Sequence, residues 1–499
     1  MAIALATRGA LLPPAVDGWP VVACLGPEVR IGRAAARHAL ARIRAEVLWW
    51  PSPRSDAVPA TSVIVCGRGH HFRLATGQPL ARVAPASLTD LTAVPGHPAG
   101  YWAVLAGLSG SDRAAEDLLC RSIWHCPWTG RETTLKAGLD ALSFLHAAAR
   151  QNARPAATIG MSRWKRRAVA PFLTGPHGPP LHFRTDPGPW AGDLRHAYWG
   201  EGPEAPGGSS ALCIEDGFLR SVGLGLRHVM PASLVISDLG LHYRPGPGNG
   251  LDRIVAQARF NAPLIARARA LRSRIIDLGL TKYNLPDRGR LPGTGGREAV
   301  LVPGQVEGDA SLDAGAAGIR TNLELLRFAR AAHPDAFLLY KPHPDVLTGL
   351  RPGALAASEI ADLADGITKT ASAGACIAWC DRVVTMTSQL GFEALLRERP
   401  VTALGAPFYA GWGLTRDVAP PVRPRRLTLE ELIAAALILY PRYIDPASRL
   451  PAPVEQVIAA LGRERQSCHR LGARLRRLRR YVVSEIMNAA EAPKWRMTR

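Results

Sequence analysis

The sequence predicts an α/β protein built from several domains, and three observations support this fold class. The chain has 499 residues, too many for one hydrophobic core, so two or three domains are expected. Short apolar runs of strand type alternate with helical stretches, a pattern typical of parallel sheets. The 48 glycines and 42 prolines are spread between these runs, which indicates many loops and not a low-complexity chain.

The first predicted region, residues 1–155, reads as α/β without a catalytic motif. Residues 19–24 and 61–66 have strand character, and the Ala-rich residues 32–47 have helical character. The polar cluster at residues 67–71 fits a solvated turn, which is the simpler interpretation, or a loop that holds a metal or a phosphate.

Residues 156–297 form the second predicted domain, which ends in a Gly- and Pro-rich linker at residues 285–297. Residues 161–167 are expected to lead from a strand into a helix and carry four cations, Arg163 and Lys165 among them. Cations at the start of a helix oppose its dipole. They either form a solvated basic face or mark a bound anion that compensates them.

The third predicted domain, residues 298–447, repeats the order strand, loop, helix. This order predicts a parallel sheet of the doubly wound type. The predicted strands are residues 300–303, 336–340 and 382–386, and the predicted helices are residues 319–332 and 389–397.

The charge balance is strongly basic, with 61 Lys and Arg against 41 Asp and Glu and a formal net charge of +20. Such an excess indicates an anionic partner: nucleic acid, lipid or an acidic substrate. Aromatic residues make up only 6% of the chain, and no helix-turn-helix or RNA-binding signature occurs, which argues against nucleic acid.

The tail, residues 448–499, concentrates this charge. Residues 463–480 hold eight Arg and one Glu, and Leu471, Leu475, Leu478 and Val482 fall on one helical face. A basic amphipathic helix of this kind favours docking on the anionic inner-membrane surface. A solvated terminal helix is the alternative.

Cysteine usage and hydropathy indicate a cytoplasmic protein. The eight cysteines include no Cys-x-x-Cys pair, so reduced structural thiols are expected. Cys376 and Cys380 lie one helical turn apart, but Asp381 is the only other metal ligand nearby, and no metal site is predicted. No apolar run reaches the roughly 18 residues of a membrane-spanning helix, and no secretory signal is evident.

Two polar loops follow strands in the third domain. Thr387 and Ser388 are placed to cap a helix and to bind phosphate. Glu393 is placed to accept hydrogen bonds from ribose hydroxyls. The alternative is a plain N-cap with a surface carboxylate. Lys341 and His343, pre-oriented by two prolines, are suited to a phosphate or a sugar carboxylate, or else belong to a solvated turn.

Two acidic loops carry candidate catalytic groups. Glu215 and Asp216 end a strand, with Arg220 placed to orient them. Glu307 and Asp309 lie two apart in a Gly-rich loop. Sugar transfer with retention uses a carboxylate nucleophile and a second acid or base. Solvated acidic loops are the alternative when each is considered alone.

Six runs together identify a family resemblance. In order they are 215–225 (EDGFLRSVGLG), 281–284 (TKYN), 302–311 (VPGQVEGDAS), 340–346 (YKPHPDV), 385–396 (TMTSQLGFEALL) and 407–415 (PFYAGWGLT). They resemble the KpsC-type capsular polysaccharide β-Kdo transferases, in particular the second of the two transferase modules of those proteins. The resemblance covers residues 156–447.

The resemblance implies a GT-B fold, two Rossmann-like domains facing across a cleft, here preceded by the extra N-terminal α/β region. It implies CMP-Kdo as donor, retention of configuration, a phospholipid-linked Kdo acceptor, and no cofactor. Glu215 matches the acid/base, Asp309 the nucleophile with Glu307 as runner-up, and His343 is expected beside them. The binding residues expected are Arg163, Lys165, Asp216, Arg220, Ser221, Gln305, Ser311, Lys341, Thr387, Ser388, Glu393 and Tyr409.

The chain also departs from the family pattern. Gly308 stands where the family often has an acidic residue, and Arg244 follows Tyr243 where an acidic residue is usual. Residues 1–155 lack the motifs of the first module, which implies one linkage per chain instead of two. The alternative function is a non-catalytic protein of capsule assembly or export that keeps the fold.

Overall fold

A computed structural model describes residues 23–25, 66–67, 70–71, 122–175, 178–185, 194–202, 211–224, 229–244, 249–316 and 318–467. The helix predicted at 32–47, the basic helix at 471–482, and parts of the N-terminal strands and of the cluster at 67–71 lie outside these ranges. Two compact units are present. The first comprises Met1–Ala156, Ala170–Pro180 and Ala447–Pro453, and the second comprises Ala157–Val169, Leu181–Pro446 and Val454–Arg499.

Strands and helices alternate along the described chain. The strands are β1 (Ala23–Leu25), β2 (Cys66–Gly67), β3 (His70–His71), β4 (Ser122–His125), β5 (Glu132–Thr133), β6 (Ala156–Ile159), β7 (Leu181–Phe183), β8 (Arg195–Trp199), β9 (Leu212–Asp216), β10 (Ser233–Ser237), β11 (Ala299–Pro303), β12 (Phe337–Lys341), β13 (Gly366–Ile367), β14 (Arg382–Thr385), β15 (Val401–Ala403), β16 (Arg416–Asp417) and β17 (Pro441–Tyr443). The helices are α1 (Leu135–Gln151), α2 (Arg163–Leu173), α3 (Gly250–Gln257), α4 (Ala262–Asp277), α5 (Ala310–Gly315), α6 (Asn322–Ala332), α7 (Pro344–Leu347), α8 (Ala357–Ala361), α9 (Ala373–Trp379), α10 (Gln389–Leu395), α11 (Leu429–Ile433), which continues into a π-helix (Ala434–Leu439), and α12 (Val454–Ser467).

Among its described residues, the first unit contains small antiparallel sheets and the long helix α1. Strand β4 pairs with β1 and β5, and β2 pairs with β3 across the predicted cluster at residues 67–71. Helix α1 begins where the Thr134 hydroxyl accepts a hydrogen bond from the Ala137 amide at 3.2 Å. The Trp128 indole donates to the Pro451 carbonyl at 2.9 Å, which ties a late segment into this unit.

The first sheet of the second unit is mixed and has the order β17-β10-β9-β8-β6-β7 in the described chain. Strands β8 and β9 are parallel, whereas β10 is antiparallel to β9 and β17. The apolar run of β9 is buried, with Ile214 fully inaccessible, and the run ends at Glu215. The strand therefore delivers two carboxylates to the point where burial gives way to a loop.

The second sheet is parallel throughout and has the order β13-β12-β11-β14-β15-β16. Its central strands are continuous apolar runs because both faces are covered, and Val300, Leu338 and Val383 are fully buried. The chain adds strands on one side of β11 and then returns to add β14 on the other. Such a reversal opens a crevice at the carboxyl ends of the strands. The predicted parallel sheet and its strands are confirmed.

Local capping explains where the helices begin. Helix α6 starts three residues later than its apolar period predicts, because the Thr321 hydroxyl accepts from the Glu324 amide and Glu324 accepts from the Thr321 amide.

Residues 285–297 form neither helix nor strand, as their glycine and proline content predicts.

The described ranges show neither a membrane span nor a metal cluster. There, no helix is both long and apolar enough to cross a bilayer, and no group of three or more His, Cys, Asp and Glu side chains is placed to hold a metal. Cys376 and Cys380 are buried free thiols, and burial raises their pKa values to about 11 and 12.

Candidate active site

A cavity of about 620 Å³ lies in the second unit, lined by loops that follow strands of both sheets. It brings together most of the residues that the sequence singled out. Those that line it are Lys165, Glu215, Asp216, Arg220, Gln305, Asp309, Ser311, Lys341, His343, Thr387, Ser388 and Glu393. Arg163, Ser221, Glu307 and Tyr409 are not among its lining residues.

Glu215 occupies the end of β9, where it is half-buried beside Asp216. Its Oε1 accepts a hydrogen bond from the Asp216 amide at 2.9 Å. Burial, together with the neighbouring Asp216 charge, raises the pKa of Glu215 from its ordinary value near 4.5 to about 7. A carboxyl that titrates near neutrality can both give and take a proton under working conditions.

Asp216 is held by a buried guanidinium. Arg220 Nε donates to Asp216 Oδ2 at 2.6 Å, and Arg220 Nη1 donates to the Ser221 hydroxyl and the Val229 carbonyl. Arg220 is only 1% exposed, so its charge is compensated inside the protein. Asp216 Oδ1 is buried without a hydrogen-bond partner in the described chain. Ser221 thus supports Arg220 from behind the cavity wall.

Asp309 caps α5 and is fixed by a chain of hydrogen bonds. Its Oδ1 accepts from the Ser311 amide at 3.1 Å and from the Ser311 hydroxyl at 2.8 Å. The Thr387 hydroxyl in turn donates to Ser311 at 3.4 Å. Gln305 closes the network, because its Nε2 donates to the Thr387 hydroxyl and its Oε1 accepts from the Thr387 amide. The carboxylate is therefore oriented through one oxygen, with Oδ2 left for a ligand.

The loop after β12 presents a neutral ring and a buried ammonium. His343 Nδ1 accepts from the Asp345 amide at 3.1 Å, so the neutral ring carries its proton on Nε2. Burial, and then the nearby Lys282 charge, lowers the pKa of His343 to about 4. Lys341 Nζ donates to the Ala371 carbonyl at 2.6 Å. His343 is thus a hydrogen-bond donor at neutral pH and not a cation.

The start of α10 is packed tightly. The Ser388 hydroxyl accepts from the Leu390 amide, and the buried Tyr409 hydroxyl donates to the Ser388 carbonyl at 2.6 Å. Any side chain at Gly391 would collide with that hydroxyl, so glycine is required there. Glu393 Oε1 accepts from the Lys282 amide at 2.7 Å. Tyr409 therefore acts on the helix backbone and does not reach the cavity.

Glu307 also serves a local structural contact. Its carboxylate accepts from the Asn322 amide at 2.8 Å, at the first residue of α6. The Asn322 side chain binds the Gln305 backbone from both sides, through the Gln305 amide and carbonyl. Glu307 thereby supports the loop that carries Gln305.

Several residues that line the cavity were not singled out from the sequence. Lys282 belongs to the run 281–284, which marked the family resemblance without receiving a role. Trp199 lies under Lys165, whose ammonium is 4.7 Å from the ring centroid. Trp199 ends β8, and an aromatic at the carboxyl end of a strand was the available signal. Tyr243 and Arg351 also line the cavity.

A charged cleft at the carboxyl ends of the strands of an α/β protein is the place where such folds bind phosphorylated and acidic ligands. The fold and the cleft thus define a class of α/β proteins that bind phosphorylated or acidic ligands, and comparison with known proteins identifies the family within that class. Residues 287–443 match the family model described as "Capsule polysaccharide biosynthesis protein". The chain belongs to the KpsC-type capsule polysaccharide biosynthesis family.

Two curated relatives support this assignment. The capsule polysaccharide modification protein LipA of Neisseria meningitidis serogroup B (strain ATCC BAA-335 / MC58) is 37% identical over 354 residues, or 68% of this chain and 50% of LipA. The lipopolysaccharide-processing protein LpsZ of Rhizobium meliloti is 43% identical over 263 residues, or 52% of this chain and 60% of LpsZ. The chain therefore spans about half the length of LipA.

Two solved structures of Thermosulfurimonas dismutans KpsC are also similar. The beta Kdo 2,7 transferase superimposes with a TM-score of 0.53 and the beta Kdo 2,4 transferase with 0.54, each at 32% identity. Each match covers 62% of this chain and 98% of the other. The α/β architecture is thus shared with Kdo transferases over nearly their whole solved length.

Proposed function

We propose that the chain is a retaining glycosyltransferase that moves Kdo from CMP-Kdo to a Kdo-bearing phospholipid during synthesis of the capsular polysaccharide linker. In this proposal the two sheets of the second unit are the cores of a GT-B pair. Residues 156–297 form the acceptor-side domain and residues 298–447 the nucleotide-sugar domain, except that β17 (Pro441–Tyr443) returns to the first sheet and pairs with β10. The names of the KpsC structures support Kdo as the sugar.

One observation carries the proposal: a single cavity is lined by Glu215 from the first sheet and by Asp309, His343 and Ser388 from the second. A two-carboxylate mechanism requires both carboxylates to reach one sugar. Had the two groups faced separate surfaces, the chemistry would have been excluded.

The geometry suits a double displacement. The free Oδ2 of Asp309 attacks the anomeric carbon of the donor, and the bond from that carbon to the CMP phosphate oxygen breaks, so CMP leaves with the electron pair. Glu215 then takes the proton of the acceptor hydroxyl, whose oxygen attacks the same carbon and breaks the bond to Asp309. Two inversions restore the original configuration. The pKa of Glu215, about 7, suits it to act as the base.

The second sheet offers the groups that would hold the nucleotide. The Nε2–H of His343, the hydroxyl of Ser388 and the Lys341 ammonium are donors suited to phosphate oxygens. The Thr387 hydroxyl already donates to Ser311 and accepts from Gln305, so Thr387 supports the loop. Glu393 keeps Oε2 for a ribose hydroxyl, since Oε1 is occupied by the Lys282 amide. Lys165 and Trp199, from the first sheet, would face the acceptor.

The test is incubation with CMP-Kdo generated in situ and a synthetic lipid that ends in Kdo. We expect one Kdo to be added, read by mass spectrometry, with the β configuration retained, read by NMR. Asp309→Ala is the negative control. A folded protein that binds the lipid but adds no sugar would overturn the proposal and favour a non-catalytic role in capsule assembly or export.

Peripheral attachment to the inner membrane forms part of the proposal and is carried by the basic sequence after residue 467. The described chain ends in α12, where Arg465 donates to the Leu278 and Gly279 carbonyls, so a truncation must start after Ser467. We expect deletion of residues 468–499 to release the protein from vesicles that contain anionic lipid. Unchanged binding to those vesicles would refute the attachment.

A further inference from the structure

Lys282 has an unusually well-fixed backbone at the cavity. Its carbonyl accepts from the Arg220 and Ser221 amides at 3.0 and 3.2 Å, and its amide donates to Glu393 at 2.7 Å. The residue therefore ties the loop after β9 to helix α10. The backbone of Lys282 is therefore held from both sides of the cavity, by the loop after β9 and by helix α10.

The Lys282 ammonium, by contrast, forms no salt bridge with a carboxylate of the described chain. It lies 5.4 Å from the centroid of the Tyr283 ring, and among the described residues no hydrogen bond or ion pair of this ammonium is found. Two other cations of the cavity have direct partners, because Arg220 pairs with Asp216 and Lys341 donates to the Ala371 carbonyl. An ammonium held in a cleft without a partner is suited to an anionic ligand.

Electrostatics place Lys282 among the reacting groups. Burial opposes its charge, but the Tyr283 phenol and the carboxylates of Asp216 and Glu215 outweigh burial, so the pKa of Lys282 is raised. The same ammonium contributes to lowering the pKa of His343. Lys282 thus stays charged and lies within electrostatic reach of groups from both walls.

We infer that the Lys282 ammonium binds the carboxylate of the transferred sugar acid. The inference rests on the proposed function and assigns the residue that recognises the carboxylate of the sugar. In Kdo the carboxylate is bonded to the anomeric carbon, so its receptor must lie beside the reacting centre. Lys282 meets this condition because it lines the same cavity as Glu215, within electrostatic reach of that carboxylate. The alternatives are poorer. Lys165 also lies over an aromatic ring, at 4.7 Å from the Trp199 centroid, and burial lowers its pKa, whereas the pKa of Lys282 is raised; Arg351 is exposed.

The experiment compares Lys282→Met and Lys282→Arg with Lys369→Met, the same chemical change at an exposed lysine outside the cavity. Losing a charge-assisted hydrogen bond should raise the KM for CMP-Kdo in Lys282→Met by about ten- to hundredfold. Lys282→Arg should recover most of this loss, and Lys369→Met should match the wild type. Affinity for CMP alone should change by no more than about twofold.

A binding measurement separates recognition from structural support. Saturation-transfer NMR should show that the wild type prefers Kdo to its methyl ester, and that Lys282→Met loses this preference. If Lys282→Met keeps the preference, or also loses CMP binding, the inference is overturned while the proposed function stands. If the wild type neither binds Kdo nor transfers it, the proposed function itself fails.

Discussion

The two walls of the cavity are built on different principles. On the wall from the first sheet, the Asp216 charge acts on the protonation of both Glu215 and Lys282, and Glu215 and Lys282 act on each other. On the wall from the second sheet, Asp309 is oriented by hydroxyl and amide groups that do not titrate. The difference suggests a division of labour, in which one wall controls where protons lie and the other controls where the carboxylate points.

The largest effect is expected on the wall that positions Asp309. Asp309→Asn keeps an oxygen that can accept from Ser311 but removes the nucleophile, so transfer should fall by about a thousandfold or more. The readout is Kdo added per enzyme, by mass spectrometry, with CMP affinity as the control for folding. Retention of a tenth of the wild-type rate would mean that another group attacks.

On the charged wall, Glu215→Gln should separate activity from stability. Transfer should fall by about 10²- to 10⁴-fold because the base is lost. The folded protein, however, should become more stable at pH 8. There the wild type must keep an ionised carboxylate in a site that disfavours it, whereas the amide carries no charge.

The stability gain of Glu215→Gln should depend on pH, because folding changes the pKa of Glu215. Folding raises the pKa of Glu215 from about 4.5 to about 7, so the cost of ionisation sets in above pH 4.5 and is complete above about pH 7. Glu215→Gln should therefore gain up to about 3 kcal/mol at pH 8 and nothing near pH 4. Urea unfolding at both pH values measures this. Equal stability changes at pH 4 and pH 8 would contradict the raised pKa.

The two walls also differed in how far the sequence could predict them. Strand ends are visible as apolar runs that stop at polar residues, which is why Glu215, Lys341 and Thr387 were expected near strand ends. Glu215 is the last but one residue of β9, Lys341 is the last residue of β12, and Thr387 follows β14 by two residues. Side-chain direction is not visible in such runs. Glu307 and Tyr409 lie beside residues that line the cavity, yet one binds the Asn322 amide and the other the Ser388 carbonyl.

Lys282 was not predicted as a site residue, for a different reason. The run that contains it, residues 281–284, follows helix α4 and not a strand, so the local sequence pattern does not indicate a residue of the cleft. Its position arises from contacts with Arg220, Ser221 and Glu393, which are 61 to 111 residues away along the chain. Tertiary contacts of that span leave no periodic signal in the sequence.

A smaller effect is expected from loosening Asp309 without removing it. Ser311→Ala removes the 2.8 Å hydroxyl bond and leaves only the amide bond to Asp309 Oδ1, so kcat should fall by about tenfold with little change in the pH profile. Ser358→Ala, at an exposed serine, is the matched control. A shift of the pH profile in Ser311→Ala would show that this wall also sets protonation.

The smallest effect is expected at Tyr409, where a binding role and a structural role make different predictions. Tyr409→Phe removes the 2.6 Å bond to the Ser388 carbonyl, and losing one buried neutral hydrogen bond should cost about 1 kcal/mol of unfolding free energy. The ring stays in place, packed against Phe408 at 5.2 Å between centroids, so the KM for CMP-Kdo should stay within about twofold of the wild type. Urea unfolding and initial rates give both numbers. A tenfold rise in KM at unchanged stability would instead assign the hydroxyl to the substrate, as the sequence alone suggested.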